Sequence, residues 1–419
     1  MKDIFKPGRM LIPNKDVDYT KWSVVACDQY TSEPDYWNEV VRLTQGCPTT
    51  LNITLPEIYL EDDGVNERIE KINATMKNYL DQGVFREVDG YILLEREQAD
   101  KKIRRGLVGV CDLEQYDFSP DSQSPIRATE GTILDRIPPR LAVRKDAPLE
   151  TPHIMMLIDD PEMTVIEKVA AEKESFEKLY DFELMMNGGR SAGYLVSEKS
   201  AAKIGDALER LADKGRFESH YGVTGKGVLP FAVGDGNHSL ATAKTSYENL
   251  KKQLPAGDPR LELARWALIE VVNIHDAALE FEPIHRVLFD VDAKHLIDQF
   301  KKTFDTSCDG GGQRIEYMYA GGGEVLYVKN PSSNIAVGTL QGFLDAYMKA
   351  HGGRIDYIHG DSVTKELGTQ PGNIGFILPT LGKGELFKTV IVDSALPRKT
   401  FSMGHANDKR FYLECRKIK

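Results

Sequence analysis

Residues 227–253 carry the feature that most restricts how this 419-residue chain can fold. Gly227-Val-Leu-Pro-Phe-Ala-Val233 is an apolar run of strand length, and Ser239–Gln253 is a helix-compatible stretch containing Ala and Lys. The short turn Gly234-Asp-Gly-Asn-His238 joins them. The first N–H groups of a helix entered this way have no internal partners, and the helix dipole adds partial positive charge, so the turn is suited to an anion. Gly236 lets a phosphate approach the backbone. Asp235 suits a divalent cation, and His238 can bond a phosphoryl oxygen or pass a proton. The same residues also spell an ordinary Asp-Gly turn, with Asn237 or Ser239 as helix cap and His238 as a core histidine.

Strands and helices alternate around this segment, which predicts mixed α/β packing in two or three subdomains. Soft boundaries divide an N-terminal region (1–125), a central region (126–290) and a C-terminal region (291–419), or one continuous domain. In the first region Trp22–Cys27, Gly90–Glu95 and Gly106–Cys111 are strand-like. Ile69, Ile72, Met76 and Leu80 predict a helix from Val65 to Gln82, stopped at Gly83. In the second, helices are expected over Val165–Met186, ended by Asn187-Gly-Gly189, and over Ser200–Lys214, with a β-like run at Trp266–Ile274. In the third, Ala293–Thr303 reads as a helix, whereas Phe387–Asp393 and Arg410–Cys415 read as strands. The glycine triplets at 310–312 and 321–323 fit hairpin turns, because no helix follows them as it would a nucleotide loop.

Charge and composition narrow the function. A formal charge of −11 argues against a general nucleic-acid binder, while leaving room for a local phosphate site. No apolar run approaches the roughly eighteen residues that span a bilayer, and the first residues lack a secretory apolar stretch. Cys27, Cys47, Cys111, Cys308 and Cys415 are widely spaced without a CxxC pair, which fits a reducing cytoplasm and partly buried thiols. No Walker loop or protein-kinase signature occurs. Scattered His275 with Asp276, His285, His351, His359 and Asp361 show no metal-hydrolase spacing such as HExxH.

A second segment, Arg127-Ala-Thr129-Glu130-Gly-Thr-Ile-Leu-Asp135-Arg136, sets two arginines and two carboxylates among hydroxyls. Such a loop can hold an anion and place a general base beside it, and it reads equally as a solvated loop with surface ion pairs.

Several blocks, in order along nearly the whole chain, carry a resemblance. They are Gly106-Leu-Val-Gly-Val-Cys-Asp-Leu-Glu-Gln-Tyr116, Ile126-Arg-Ala-Thr-Glu130-Gly-Thr, Asp135-Arg136, Asp235-Gly-Asn-His238, Pro283-Ile-His285-Arg286 and Pro397-Arg398-Lys399-Thr. Together they resemble the bacterial and archaeal domain of unknown function 1015 family. That family's usual Asp-Gly-His-His-Arg block is similar to one in free-serine kinases of the ParB/sulfiredoxin-like superfamily. There the Asp and His residues surround the transferred phosphate and an upstream Glu activates the serine hydroxyl. Family members also tend to sit beside the phosphoserine-making genes of serine biosynthesis. The resemblance implies Asp235 and His238 at the phosphate and Glu130 as the activating Glu. Two positions depart from the pattern: Asn237 stands for the first His, and Ser239 for the Arg.

The expectation is therefore a small-molecule phosphotransferase acting on free serine or phosphoserine, in the kinase direction or in dephosphorylation with ADP, pyrophosphate or water. Glu130, Asp235 and His238 would be catalytic, with Mg2+ on Asp235 and ADP, pyrophosphate or ATP as phosphate donor. Arg127, Thr129, Arg136, Gly236, Asn237, Ser239, His285, Arg286, Arg398 and Lys399 would bind phosphate or substrate. The site is expected in a cleft between the central region and the C-terminal strands, within reach of Lys399 and His405, on a core of the ParB/sulfiredoxin-like type. The alternative is a non-catalytic nucleotide- or phosphate-binding regulator of the ParB-like class.

Overall fold

The computed structural model describes residues 3–132, 134 and 137–419. The fold is mixed α/β, and the chain divides into two compact units. One is Met1–Leu279 with His405–Lys419, the other Glu280–Gly404.

A ten-stranded sheet organises the first unit. Its strands are β1 (Phe5–Lys6), β2 (Ile92–Glu97), β3 (Ile103–Asp112), β4 (Tyr116–Asp117), β5 (Ile126–Ala128), β6 (Met155–Ile158), β7 (Glu177–Glu183), β8 (Arg190–Leu195), β9 (Phe231–Asp235) and β10 (Trp266–Asn273). In space they run β7-β8-β2-β3-β10-β6-β9-β5-β4, with β1 paired to β3. Residues on either side of position 125 thus share one sheet. Four helices matter most here: α1 (Val65–Asp81), α2 (Ile137–Asp146), α3 (Glu198–Leu211) and α4 (Asn237–Gln253).

β10 lies inside the sheet and every one of its residues is buried, as in a strand covered on both faces. The two-residue period sorts its side chains. Ala267, Ile269 and Val271 pack with Ile204 and Leu208 of α3 and with Leu240 and Ala243 of α4. Trp266 and Leu268 pack on the other face with Ile72 and Met76 of α1. Each large side chain so buried contributes about 1.5–3 kcal/mol. Glu270 interrupts this apolar strand, and its carboxylate lies between Arg104 and Arg410. Gly106 on β3 makes room for it, since a Cβ there would stand 2.3 Å from Glu270 Oε1.

The second unit has its own sheet, built on Phe281–Phe289, Gln313–Tyr319, Gly322–Val328, Arg354–His359 and Ile374–Ile377. Gln313–Tyr319 and Gly322–Val328 form a hairpin in which Tyr319 faces Gly322, so the triplet at 321–323 is turn chemistry as expected. No helix among the described residues is long and apolar enough to cross a membrane.

Several local expectations are corrected. Val165–Met186 is not one helix: Ile166–Ala170 is a short helix, and Glu177–Glu183 is β7, paired antiparallel with β8. β7 is an edge strand, where charged side chains are normal, and that composition hid the strand. Asn187-Gly-Gly189 lies in the hairpin connection, with Met186 and Asn187 at positive φ. The helix expected to Lys214 ends at Leu211, and a second one, capped by Asp213, covers Lys214–Tyr221. Phe387–Asp393 belongs to a helix, Lys383–Asp393, that buries Leu386, Phe387, Val390 and Ile391 at helical spacing. Packing there overrides the β preference of Val and Ile. Trp22–Ala26 and Arg410–Cys415 are buried, but these segments make isolated bridges, Val25 to Phe411 and Leu11 to Cys415, rather than a ladder.

Candidate functional site

β9 passes through Gly236, in the left-handed region at φ +74°, directly into α4. A side chain at Gly236 would be strained and would bring a Cβ to 3.0 Å from Ile154 Cα, so glycine is required. The helix is capped by Gly236 rather than by the side chain of Asn237 or Ser239, and its first turn holds no acidic residue. Leu240 N–H bonds Gly236 O at 3.0 Å, and the N–H groups before it have no intrahelical partner. β9 runs parallel to β5, with Val233 facing Ala128. Asp235 therefore ends β9 and Glu130 lies two residues past β5, at the carboxyl ends of adjacent parallel strands, where α/β sheets place their ligands. β6 runs antiparallel on the other side of β9, which brings His153 and Ile154 beside the turn.

The charges around this turn come from remote segments. Asp235 Oδ1 accepts the Gly236 N–H at 2.9 Å, and its Oδ2 lies 3.5 Å from Lys409 Nζ, both side chains being largely buried. His153 Nε2 is 3.7 Å from Asp28 Oδ2 and 3.5 Å from Ser239 Oγ. His153 Nδ1 lies 2.8 Å from the Tyr412 hydroxyl, which accepts the Cys27 N–H at 3.0 Å. A Tyr412 hydroxyl that donates to Nδ1 leaves the proton on Nε2, facing Asp28 and Ser239. Burial alone would raise the Asp28 carboxyl, but His153, the Gln29 amide and Lys409 hold it below its ordinary value. The Cys27 thiol is pushed up to about 12, chiefly by burial, which leaves it a poor nucleophile.

Asn237 adds an unsatisfied group. Thr129 Oγ1 donates to Val233 O at 2.6 Å, so it can only accept from Asn237, whose Nδ2 lies 3.4 Å away. That fixes the amide orientation and leaves Asn237 Oδ1 as the other end, a buried acceptor without a partner.

Of the residues singled out in the sequence, the structure brings Thr129, Asp235, Gly236, Asn237 and Ser239 together. Glu130 follows β5 at the same sheet edge, and His238 is half-buried in the first turn of α4. Arg127 is not at the turn. Its Nε and Nη2 bond the carbonyls of Ser124 and Gly227, which precede β5 and β9, and burial lowers it to about 10. Arg136 lies outside the described residues. His285, Arg286, Arg398 and Lys399 belong to the second unit. There His285 Nε2 pairs with Asp361 Oδ1 at 2.9 Å, and its Nδ1 accepts the Leu378 N–H. Arg286 is buried, and holds Gln341 Oε1 and the Arg398 carbonyl. Arg398 and Lys399 are exposed. His405 belongs to the first unit and its N–H bonds Asp408. Among the described residues no group of three or more His, Cys, Asp or Glu side chains could hold a metal ion. His275, one of the scattered histidines, is bonded to Asp159 at 2.6 Å. Asp28, His153, Lys409 and Tyr412 gave no local motif and were not anticipated.

A cavity of about 150 Å³ adjoins the turn, lined by Ser239 and Thr242 of α4, by His153 and Tyr412, and by Glu57 and Arg140 among others.

Comparison with solved structures gives low likeness. SbnI with a C-terminal truncation, from Staphylococcus aureus, is similar at 9% identity and a TM-score of 0.35, over 71% of this chain and 83% of that one. A free serine kinase in complex with AMP is similar at 9% identity and a TM-score of 0.37, over 76% and 93%. A conserved hypothetical protein from Pyrococcus furiosus is similar at 10% identity and a TM-score of 0.34, over 76% and 97%. No curated protein matches the sequence. The family model for the protein of unknown function DUF1015 matches residues 11–347, and this chain therefore belongs to the DUF1015 family.

Proposed function

We propose that the turn at 235–239 holds the phosphoryl group in a small-molecule phosphotransferase acting on free serine or O-phosphoserine. The observation that carries this reading is Lys409 Nζ, set 3.5 Å from Asp235 beside a helix N-terminus without a side-chain cap. A phosphoryl group needs positioning and charge neutralisation more than covalent help. The N–H groups of residues 237–239 and Lys409 supply both in a half-buried setting, where each donor acts more strongly than in water. Lys409 takes the part of the arginine that the family pattern has and Ser239 replaces. Glu130 would take the hydroxyl proton as the new O–P bond forms and the donor's bond breaks, and His238 would bond a phosphoryl oxygen. Asn237 Oδ1 offers an acceptor to a ligand N–H or O–H. Magnesium, when bound with a donor's phosphates, would neutralise their charge. Asp235 would be the carboxylate ligand that holds it. ADP, ATP or pyrophosphate would be the donor, and with water as acceptor the same site is a phosphatase.

The test incubates the protein and magnesium with L-serine plus each donor, and with O-phosphoserine alone or with each acceptor, followed by mass spectrometry. Interconversion that falls by about 100-fold or more in Glu130→Gln and Asp235→Asn is expected. Undiminished turnover in both variants would sink the reading. Phosphate binding without interconversion would favour a regulator of the ParB-like class.

A further inference from the structure

Two arginines stand directly opposite each other in the ten-stranded sheet, Arg96 on β2 and Arg104 on β3, and Ser191 of β8 faces Arg96 from its other side. Like charges so placed repel, and both side chains are only 2% exposed, so water screens them little. Arg104 has Glu270 as a counter-charge. Arg96 bonds carbonyls instead, those of Glu97 through Nη1 and Asn407 through Nη2. Burial and the neighbouring Arg104 lower it to about 9, which still leaves it charged at neutral pH. Arg410 pairs with both Glu270 and Glu414, so the buried cluster holds three guanidinium groups against two carboxylates. Asp408 acts on Arg96 from a half-buried position, with its own oxygens bonded to the Ala99 and His405 N–H groups. A surplus positive charge away from water is costly without an anion.

The same side chains leave room for a small one. A cavity of about 10 Å³ is lined by Ser23, Ser191, Arg96, Arg104, Arg410 and Glu414, and otherwise by leucine and phenylalanine side chains. Three of these residues carry a buried polar atom without a hydrogen-bond partner: Ser23 Oγ, Arg96 Nε and Arg104 Nε. The two Nε–H groups can only donate, and a serine hydroxyl can turn to donate as well. Their common partner must therefore accept. A space of roughly 10–15 Å³ holds one water-sized particle, which is too little for sulfate, phosphate or a carboxylate. A water would satisfy the donors and leave the charge. A halide ion answers both.

We propose that this cavity is a binding site for one halide ion, chloride in ordinary salt, held by Arg96 Nε, Arg104 Nε and Ser23 Oγ. The ion separates the two opposed arginines. Arg96 and Arg104 also hold the carbonyls of Asn407 and Asp408, so it braces the turn that leads into Lys409. The inference does not rest on the phosphoryl reading of residues 235–239.

Crystals of the full chain, grown with sodium bromide in place of chloride, test it. A peak of anomalous scattering at the bromine edge is expected between Arg96 Nε and Arg104 Nε. Density there without anomalous signal would be a water and would overturn the inference. In solution, Trp22, Trp37 and Trp266 all lie in the first unit, so tryptophan fluorescence follows its thermal unfolding. The midpoint should be higher in chloride than in gluconate of equal ionic strength, by about 2 °C or more. Arg96→Gln removes the surplus charge and keeps an amide for the two carbonyls, and in it the difference between the salts should vanish. No difference in the wild type, or an undiminished one in Arg96→Gln, overturns the inference too. Should that variant fail to fold, the bromide crystals decide alone.

Discussion

Lys409 and Arg410 are neighbours in the chain and serve two charge clusters of opposite character. Arg410 enters the core, where its Nη1 lies 2.5 Å from Glu270 Oε2 and its Nη2 2.9 Å from Glu414 Oε2. Arg104 reaches Glu270 from the other side at 3.3 Å, and all four side chains are at most 2% exposed. Burial would raise the Glu270 carboxyl, but the two arginines keep it below its ordinary value. Around the turn the separations are longer, 3.5 Å for Lys409 and Asp235 and 3.7 Å for His153 and Asp28. Those side chains retain 6–28% exposure, and the acceptor of Asn237 beside them is unsatisfied. The same residue types therefore make a brace in one place and an exchangeable pairing in the other. Closeness and burial decide which: a matched pair without water has nowhere else to go, and a loose one can admit a ligand.

The sharpest way to break this comparison is to remove one charge from each cluster. Glu270→Ala should cost about 3–5 kcal/mol in urea unfolding, because Arg104 loses its buried counter-charge and Arg410 keeps only Glu414. Lys409→Met should lower turnover by about 100-fold or more, yet change stability by under about 1 kcal/mol in the same unfolding experiment. A Lys409 variant that unfolds as readily as the Glu270 one would make the turn a second brace. The smallest effect lies on the acid side. Asp28 and Glu270 both have folded values below their unfolded ones, so their contributions are fully present above those values, 3.8 and 4.5. They are lost as pH falls through the lower folded values. Acid unfolding followed by circular dichroism should therefore begin below roughly pH 4.5. Asp28→Asn should flatten that limb only slightly, and Glu270→Gln much more.

What could be read from the sequence was local. The passage from β9 through Gly236 into α4 is spelled by adjacent residues, and so are the period of α1 and the apolar run of β10. Thr129, Asn237 and Ser239 were found with the turn because they sit in it or just after the neighbouring strand. Asp28, His153, Lys409 and Tyr412 reach the same place from segments far apart in the chain, and no spacing rule joins them. One faint signal existed: Arg410, Tyr412 and Glu414 alternate with Phe411, Leu413 and Cys415, a polar face that the fold buries. Arg127 misled because charge in a short loop says nothing of direction. Its guanidinium turns back toward Ser124 and Gly227, away from the carboxyl end of its strand. The helix expected at 165–186 and the strand expected at 387–393 failed where edge position or packing outweighed composition.

The division of the chain has a temporal consequence. Between the last residue of β10 and Lys409 the ribosome must make all of Glu280–Gly404, the second compact unit. Until His405–Lys419 emerges, the nascent first unit holds Glu270 and Arg104 without Arg410, and Asp235 without Lys409. The core brace and the anion turn are thus completed by the same few residues, almost at the same moment of synthesis. A half-made chain carries neither, so the site does not come into being before the scaffold that supports it.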